Sequence, residues 1–259
     1  MSTPLYRQMI SIHSVPLSFV LLTALISAGL VSVFWLGWAM WQVAILIVLA
    51  WLPLFLLKTA SIYRQYGWLA FFFILVVTQG AHLLEHVAQM VQIHLLGLSG
   101  LQARGIIGML DIEWVHFIWN SWVLIGAVLL VFLFRKNPWL WVLLVFSTWH
   151  EIEHVYIMSV FLKTGHPGAP GLLAHGGAIG GGLPLTRPDL HFYYNLLEEL
   201  VLIIAYLSQI QRLAVSDEIF SPLALYSSQE HSCAGRQYKG TAMRLLPAKN
   251  CDSLFFVAA

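Results

Sequence analysis

The order of apolar and polar residues along the chain predicts six membrane-spanning helices. Apolar stretches long enough to cross a bilayer recur, and they lack the polar faces that helices of a soluble protein show. The predicted spans are residues 15–35, 40–57, 68–94, 112–134, 139–162 and 189–207. The expected fold class is therefore all-α, as a polytopic integral membrane protein.

Composition and charge support a membrane location and indicate an orientation. Hydrophobic residues make up 59% of the chain and charged residues only 10%, against roughly 25% charged in a soluble domain. A net charge of +1 gives no basic surface for nucleic acid. Basic residues concentrate on one side of the predicted helices, which places both termini in the cytoplasm of a cell with a plasma or inner membrane. The residues on that side are Arg7, Lys58, Arg64, Arg135, Lys136 and Arg212.

Two polar motifs occur twice inside the apolar stretches. The motif His-x-x-Glu-His begins at His82 and again at His150, and each copy is followed by His-Phe-x-aromatic-Asn, which begins at His116 and at His191. The connection between the two motifs is about seven residues longer in the second copy. This duplication predicts two tandem two-helix repeats that form a four-helix core, with the first two helices outside it.

The repeats divide the chain into four expected segments. Residues 1–67 form a two-helix membrane segment, 68–137 the first metal-binding helix pair, and 138–213 the second pair with a Gly-rich outer loop. Residues 214–259 form a cytoplasmic tail to which no function is assigned. Both cysteines, Cys233 and Cys251, lie in this tail, so neither a structural disulfide nor a thiolate metal centre is predicted.

The repeated polar residues have the composition of a metal site. Positions i, i+3 and i+4 share one face of a helix, so both histidines and the glutamate of each His-x-x-Glu-His motif point together. A rise of about 1.5 Å per residue places all the motif residues in the outer half of the bilayer. Ionisable residues inside a membrane are functional candidates by default. The predicted ligands of two metal ions are His82, Glu85, His86, His116, His150, Glu153, His154 and His191.

Other polar residues near the motifs are expected to orient the ligands or to cover the site. The residues expected to hydrogen-bond the ligands are Asn120, Asn195, Asp111, Asp189 and Glu198. His166 and His175 lie in the Gly-rich loop and belong to a candidate lid. Glu113 and Glu151 have no counterpart in the other repeat, so their direct coordination stays open. No catalytic residue is assigned.

The ligand types favour a redox metal but leave several functions open. Imidazole with carboxylate suits iron, copper, zinc or manganese. The arrangement resembles the di-iron carboxylate bundles, in which paired helices each supply a Glu-x-x-His set, although here the order is His-x-x-Glu. The leading hypothesis is an oxidoreductase whose dinuclear iron or copper centre activates dioxygen on a small apolar or lipidic substrate. The alternatives are a metal carrier or transporter, a membrane zinc hydrolase, and a b-type haem electron-transfer protein.

The orientation of the helices also predicts the surroundings of the site. The metal site is expected to face the extracytoplasmic side, with substrate entering beneath the Gly-rich loop or from the outer leaflet. The partners are the lipid bilayer and the substrate. Whether a membrane partner subunit packs against the first two helices stays open.

Overall fold

The protein is all-helical in the part of the chain that its structure, a computed structural model, describes. These residues are 15–33, 36–100, 102–107 and 112–219, with side chains from 113 to 213 in the last range. They form six α-helices and no β-strand. Asp111 and the tail with Cys233 and Cys251 lie outside the described residues. The helices are α1 Leu17–Val33, α2 Met40–Tyr66, α3 Leu69–Met90, α4 Ile112–Leu133, α5 Pro138–Thr164 and α6 Arg187–Ile219.

The chain divides into two compact units at Val215. The first unit is Met1–Val215 and the second is Ser216–Ala259. Of the second unit the structure describes only 216–219, the last residues of α6.

Four helices are long and apolar enough to cross a membrane, where the sequence predicted six spans. They cover Met40–Tyr66, Leu69–Leu95, Glu113–Leu133 and Arg187–Leu213. Helix α1 has only 17 residues. Helix α5 has 27 residues, but the polar motif in its middle, His150 to His154, lowers its hydropathy. The structure thus supports a helical membrane protein with four candidate spans among the described residues.

The Asn137 side chain caps the start of helix α5 and hydrogen-bonds to helix α6. Its side-chain oxygen accepts a hydrogen bond from the Trp139 N–H, and Pro138 occupies the first helical position, both of which favour a helix start. The Asn137 amide also donates to the Ala205 carbonyl at 2.8 Å. The buried Asn137 side chain therefore fixes where α5 starts relative to α6.

One end of the helices α3 to α6 is packed with apolar side chains. We call this cluster the apolar core. The opposite end carries the connecting residues 96–100, 102–107 and 165–186, and we call it the loop end. Nearly all the buried polar residues of these helices lie between the apolar core and the loop end. The apolar core contains, among others, Leu69, Phe72, Leu75, Ala127, Leu130, Leu140, Leu143, Leu202, Ala205 and Ile210.

Helices α1 and α2 contribute little to the buried interior. Helix α1 contacts α2, and α2 contacts α3. Their buried residues are Thr23, Val43, Leu54 and Ile62, and most of their large apolar side chains are exposed. Exposed leucines and isoleucines suit a helix that faces lipid.

Candidate metal centre

Six buried histidines lie in two groups of three between the apolar core and the loop end. Within each group, one ring nitrogen of every histidine lies within 4.8 Å of the others. Three imidazole nitrogens at this separation can hold one metal ion and leave a further coordination position open. Group A consists of His82, His86 and His116, and group B consists of His150, His154 and His191.

The two groups have the same internal spacing. The ring centroids of the two histidines on one helix are 4.8 Å apart in group A and 4.9 Å apart in group B. The first histidine of each motif lies 5.4 Å (A) and 5.5 Å (B) from the histidine on the following helix. The remaining pair is separated by 5.0 Å in group A and 4.8 Å in group B. Corresponding distances therefore agree within a few tenths of an ångström.

The two groups also face each other across matching contacts. His86 of group A stacks against His191 of group B at 6.4 Å, and His116 of group A stacks against His154 of group B at 6.2 Å. The two contacts correspond to each other: when groups A and B are interchanged, the His86–His191 pair takes the place of the His116–His154 pair. The six rings therefore form one continuous cluster with an approximate two-fold arrangement.

Several ring nitrogens of the cluster have no hydrogen-bond partner among the described residues. They include the Nε2 atoms of His82, His86 and His191. The Nε2 atoms of His150 and His154 lie 3.2 Å apart and face each other. Buried polar atoms in proteins are almost always paired. A cluster of unpaired imidazole nitrogens therefore fits the donor set of a metal site.

Two histidines of group B are oriented by hydrogen bonds. The Nδ1 atom of His191 lies 2.9 Å from the Arg187 carbonyl, so this nitrogen donates and Nε2 remains for a ligand role. The Nδ1 atom of His150 lies 3.1 Å from Oε2 of Glu198, and Gln79 approaches the same carboxylate oxygen. Glu198 therefore lies within hydrogen-bond distance of a candidate ligand, and its role in orienting that ligand stays a prediction.

The asparagines of the second motif bind the backbone. Asn120 donates to the His116 carbonyl at 2.9 Å, and Asn195 donates to the His191 carbonyl at 2.8 Å. Asn195 also accepts a hydrogen bond from Gln79 at 3.0 Å. These asparagines were expected to hydrogen-bond the imidazole rings, but each side chain turns back along its own helix and binds a backbone carbonyl instead.

The repeated aromatic residue covers one histidine of each group. Trp119 stacks on His82 with ring centroids 5.2 Å apart and an angle of 13°. Tyr194 lies 5.0 Å from His150, edge to face. The aromatic position of the His-Phe-x-aromatic-Asn motif thus shields the equivalent histidine in both groups.

Glu85 and Glu153 bind the loop backbone and lie in neither histidine group. Oε1 of Glu85 accepts hydrogen bonds from the N–H groups of Ile106 and Ile107 at 2.8 and 2.9 Å. Oε1 of Glu153 accepts from the N–H of Leu172 at 2.9 Å. Charge-assisted bonds to N–H groups stabilise Oε1 of each glutamate, whereas Oε2 of Glu153 is buried and has no hydrogen-bond partner among the described residues. Both glutamates therefore contact the loop backbone, and their ligation of a metal stays a prediction.

Two glycines that the motif pattern does not single out make this contact possible. Gly105 and Gly171 have φ angles of 70° and 82°, a region that favours glycine. A Cβ atom at either position would collide with Oε1 of Glu85 or Glu153. The available signal was a glycine followed by two aliphatic residues in both connections, Gly-Ile-Ile at 105–107 and Gly-Leu-Leu at 171–173.

Glu113, left open by the sequence, binds an arginine at the loop end. Arg187 donates to both carboxylate oxygens of Glu113 at 2.7 and 2.6 Å and to the Ala169 carbonyl at 3.2 Å. Gly168 N–H donates to the same carboxylate at 2.8 Å. Glu113 therefore connects the start of α4, the start of α6 and the Gly-rich loop.

The remaining predicted site residues lie apart from the histidine groups. Glu151 accepts a hydrogen bond from the Ser121 hydroxyl at 2.7 Å. Asp189, expected to orient His191, instead lies 2.8 Å from Nε2 of His94, which is in the short helical turn Val91–Leu95 that follows α3. His166 is exposed.

A cavity of about 390 Å³ connects the loop end with the histidine cluster. At its inner end lie His86, His116 and His191, which come from both groups. Of the two histidines of the candidate lid, His175 lines the cavity. The cluster is thus approached from the loop end, while the apolar core fills the other side.

Comparison with known proteins assigns no family. No family model, no curated protein and no solved structure matches the chain. The functional conclusion rests on the geometry of the two histidine groups.

Proposed function

We propose that this protein is a membrane-embedded oxidoreductase with a dinuclear metal centre, in which groups A and B each hold one ion. The observation that carries the proposal is the matched pair of buried three-histidine groups, which face each other at ring distances of 6.2 and 6.4 Å. A single structural metal would need only one such group. Two neighbouring ions suit a reaction that moves two electrons.

The ligand set favours copper, with iron as the second choice. Imidazole suits copper, iron and zinc. All six ligands are uncharged, and Glu85 and Glu153 are engaged by loop N–H groups. Charge is costly in a low-dielectric interior, so ions that are stable in the +1 state fit this donor set best.

The proposed reaction uses dioxygen as the electron acceptor. In balanced form it is SH₂ + O₂ → S + H₂O₂, in which two electrons and two protons leave the substrate and reduce dioxygen. Each ion would carry one electron. The cavity gives the reactants access to His86, His116 and His191, and the apolar core excludes water from the other side.

Two of the alternative functions fit the geometry less well. A b-type haem needs a gap between its axial histidines that admits a macrocycle, and the packed rings of the two groups leave no such gap. A transport path across the membrane would have to pass Phe72, Leu75 and Leu130, which are fully buried in the apolar core. A zinc hydrolase uses the same three-histidine donor set and is distinguished by the metal itself.

Metal analysis of group-specific variants tests the proposal. Full-length protein expressed with copper and iron and purified in a nonionic detergent should contain two redox-active ions per chain. The triple variants H82A/H86A/H116A and H150A/H154A/H191A should each retain one ion and lose oxygen consumption. His94→Ala is the matched control, because His94 lies on the same stretch of chain but outside both groups.

The outcomes separate the alternatives. A haem absorption spectrum, two zinc ions, or two ions retained in a triple variant would each contradict the proposal. Loss of both ions from either triple variant would indicate one shared site instead of two.

A further inference from the structure

The cavity above the histidine cluster has the size of a small-molecule site. Its volume of about 390 Å³ falls in the range of roughly 300–1,000 Å³ that is typical of ligand pockets. It ends on three candidate ligands from two different groups, His86, His116 and His191. A molecule that fills it would reach both proposed ions.

Polar side chains and apolar surface both line the cavity. Apart from prolines and glycines, its lining side chains are those of His, Gln, Ser, Thr and Arg. Among the described residues no Leu, Ile, Val, Phe, Met or Trp side chain lines it. The exposed surface of the wall is nevertheless mostly apolar. The wall therefore suits a small ligand that has both an apolar body and a polar group.

The cationic groups of the wall are two arginines, one of which forms an ion pair with Glu113. Arg104 and Arg187 line the cavity, and no Asp or Glu is among its lining residues. Glu113 accepts hydrogen bonds from both terminal nitrogens of the Arg187 guanidinium, which fixes the orientation of this group. The Arg187 side chain is only 14% exposed. A guanidinium has five N–H donors and is suited to planar oxyanions. The proposed metal ions would add further positive charge at the inner end.

We propose that the substrate of this centre is a small organic anion, bound by Arg104 and Arg187 with its reacting group directed at His86, His116 and His191. This inference rests on the proposed function. The anion would enter from the aqueous phase at the loop end. The Ser99 and Thr186 hydroxyls, whose protons are donated to Gln102 and Asp189, can accept hydrogen bonds from its uncharged part. The reaction itself is that given above, in which the anion is the two-electron donor.

Binding of charge-matched probes tests the inference. Calorimetry with the full-length protein in nonionic detergent compares benzoate with benzamide, which has the same shape and no charge. Benzoate should bind at least about tenfold more tightly, because a charge-assisted hydrogen bond contributes more than a neutral one. Phenyl phosphate distinguishes a carboxylate site from a phosphate site, and 1-decanol represents a lipidic ligand.

Two variants and one control locate the binding. Arg104→Gln should weaken benzoate binding about tenfold and leave benzamide binding unchanged. The double variant E113Q/R187Q removes the arginine and its partner together, which keeps the local charge balanced, and should weaken benzoate binding similarly. Lys163→Gln removes a cation from an exposed position outside the cavity and should change nothing. Circular dichroism verifies that each variant is folded.

The outcomes distinguish failure of this inference from failure of the proposed function. Equal binding of benzoate and benzamide, or preferred binding of 1-decanol, in protein that carries two metal ions would overturn the anionic substrate alone. Arginine-dependent benzoate binding in protein that never acquires metal would support the anion site and overturn the redox function.

Discussion

The Nδ1 atom of His150 lies 3.1 Å from Oε2 of Glu198, and both side chains are almost completely buried. Glu198 follows the motif histidine His191 by two helical turns. The corresponding position after His116 is Val123, which is also buried. Only group B therefore has a carboxylate at this position. A carboxylate on the outer nitrogen of a ligand imidazole increases its donor strength.

The first prediction concerns this difference between the groups. Glu198→Gln should weaken metal binding at group B by about 10- to 100-fold and leave group A unchanged. Competition with a chelator of known affinity measures metal binding at group A and at group B. Glu199→Gln is the matched control, since Glu199 is the buried neighbour on the same helix and makes no hydrogen bond to a group B histidine. Equal weakening of both groups would contradict a local role of Glu198.

The second prediction concerns Glu85 and Glu153. Replacing both by Gln should speed amide hydrogen exchange at 105–107 and 171–173, since the charge-assisted bonds to these N–H groups are lost. Metal content should remain at two ions. Exchange rates and metal content are measured on the same preparation. Loss of metal with unchanged exchange would instead show that the glutamates are ligands.

The third prediction concerns the two loop glycines that face Glu85 and Glu153. Gly105→Ala and Gly171→Ala should each lower the thermal midpoint in detergent, because the new Cβ meets Oε1 of Glu85 or Glu153 at a positive φ. Gly97→Ala separates the two causes, since Gly97 has a φ of 67° but nothing within 4 Å of an added Cβ. Gly97→Ala should lose only the stability that the unfavourable backbone conformation costs, about 1 kcal/mol. Equal losses at the three positions would argue against the glutamate contact.

The fourth prediction concerns the start of helix α5. Asn137→Ala removes the cap of α5 and the bond to the Ala205 carbonyl, and should destabilise the protein by about 2 kcal/mol. Unfolding by denaturant in detergent provides the measurement. Thr148→Ala is the control, as it removes only an exposed hydroxyl that binds its own helix. If both variants lose the same stability, Asn137 does not connect α5 with α6.

The sequence determined the features that depend on local periodicity. An i, i+3, i+4 spacing fixes a common helix face wherever the helix lies. The duplicated motifs therefore placed the histidines of α3 to α6 on facing surfaces, and the structure brings all six together. The all-helical fold and its membrane-spanning character followed from apolar stretches, although the number of qualifying helices among the described residues is four.

Only the tertiary structure decided what the acidic residues bind. Glu85 shares a face with His82 and His86, but its carboxylate meets the loop at Gly105 because of how the connection folds back over the helix ends. The same applies to Glu113, whose partner Arg187 is distant in sequence. Local spacing sets the direction of a side chain, but a buried charge selects its partner among all the donors that the folded chain brings within reach. The lining of the cavity arises in this way as well, because loop residues that helical periodicity does not describe supply much of it.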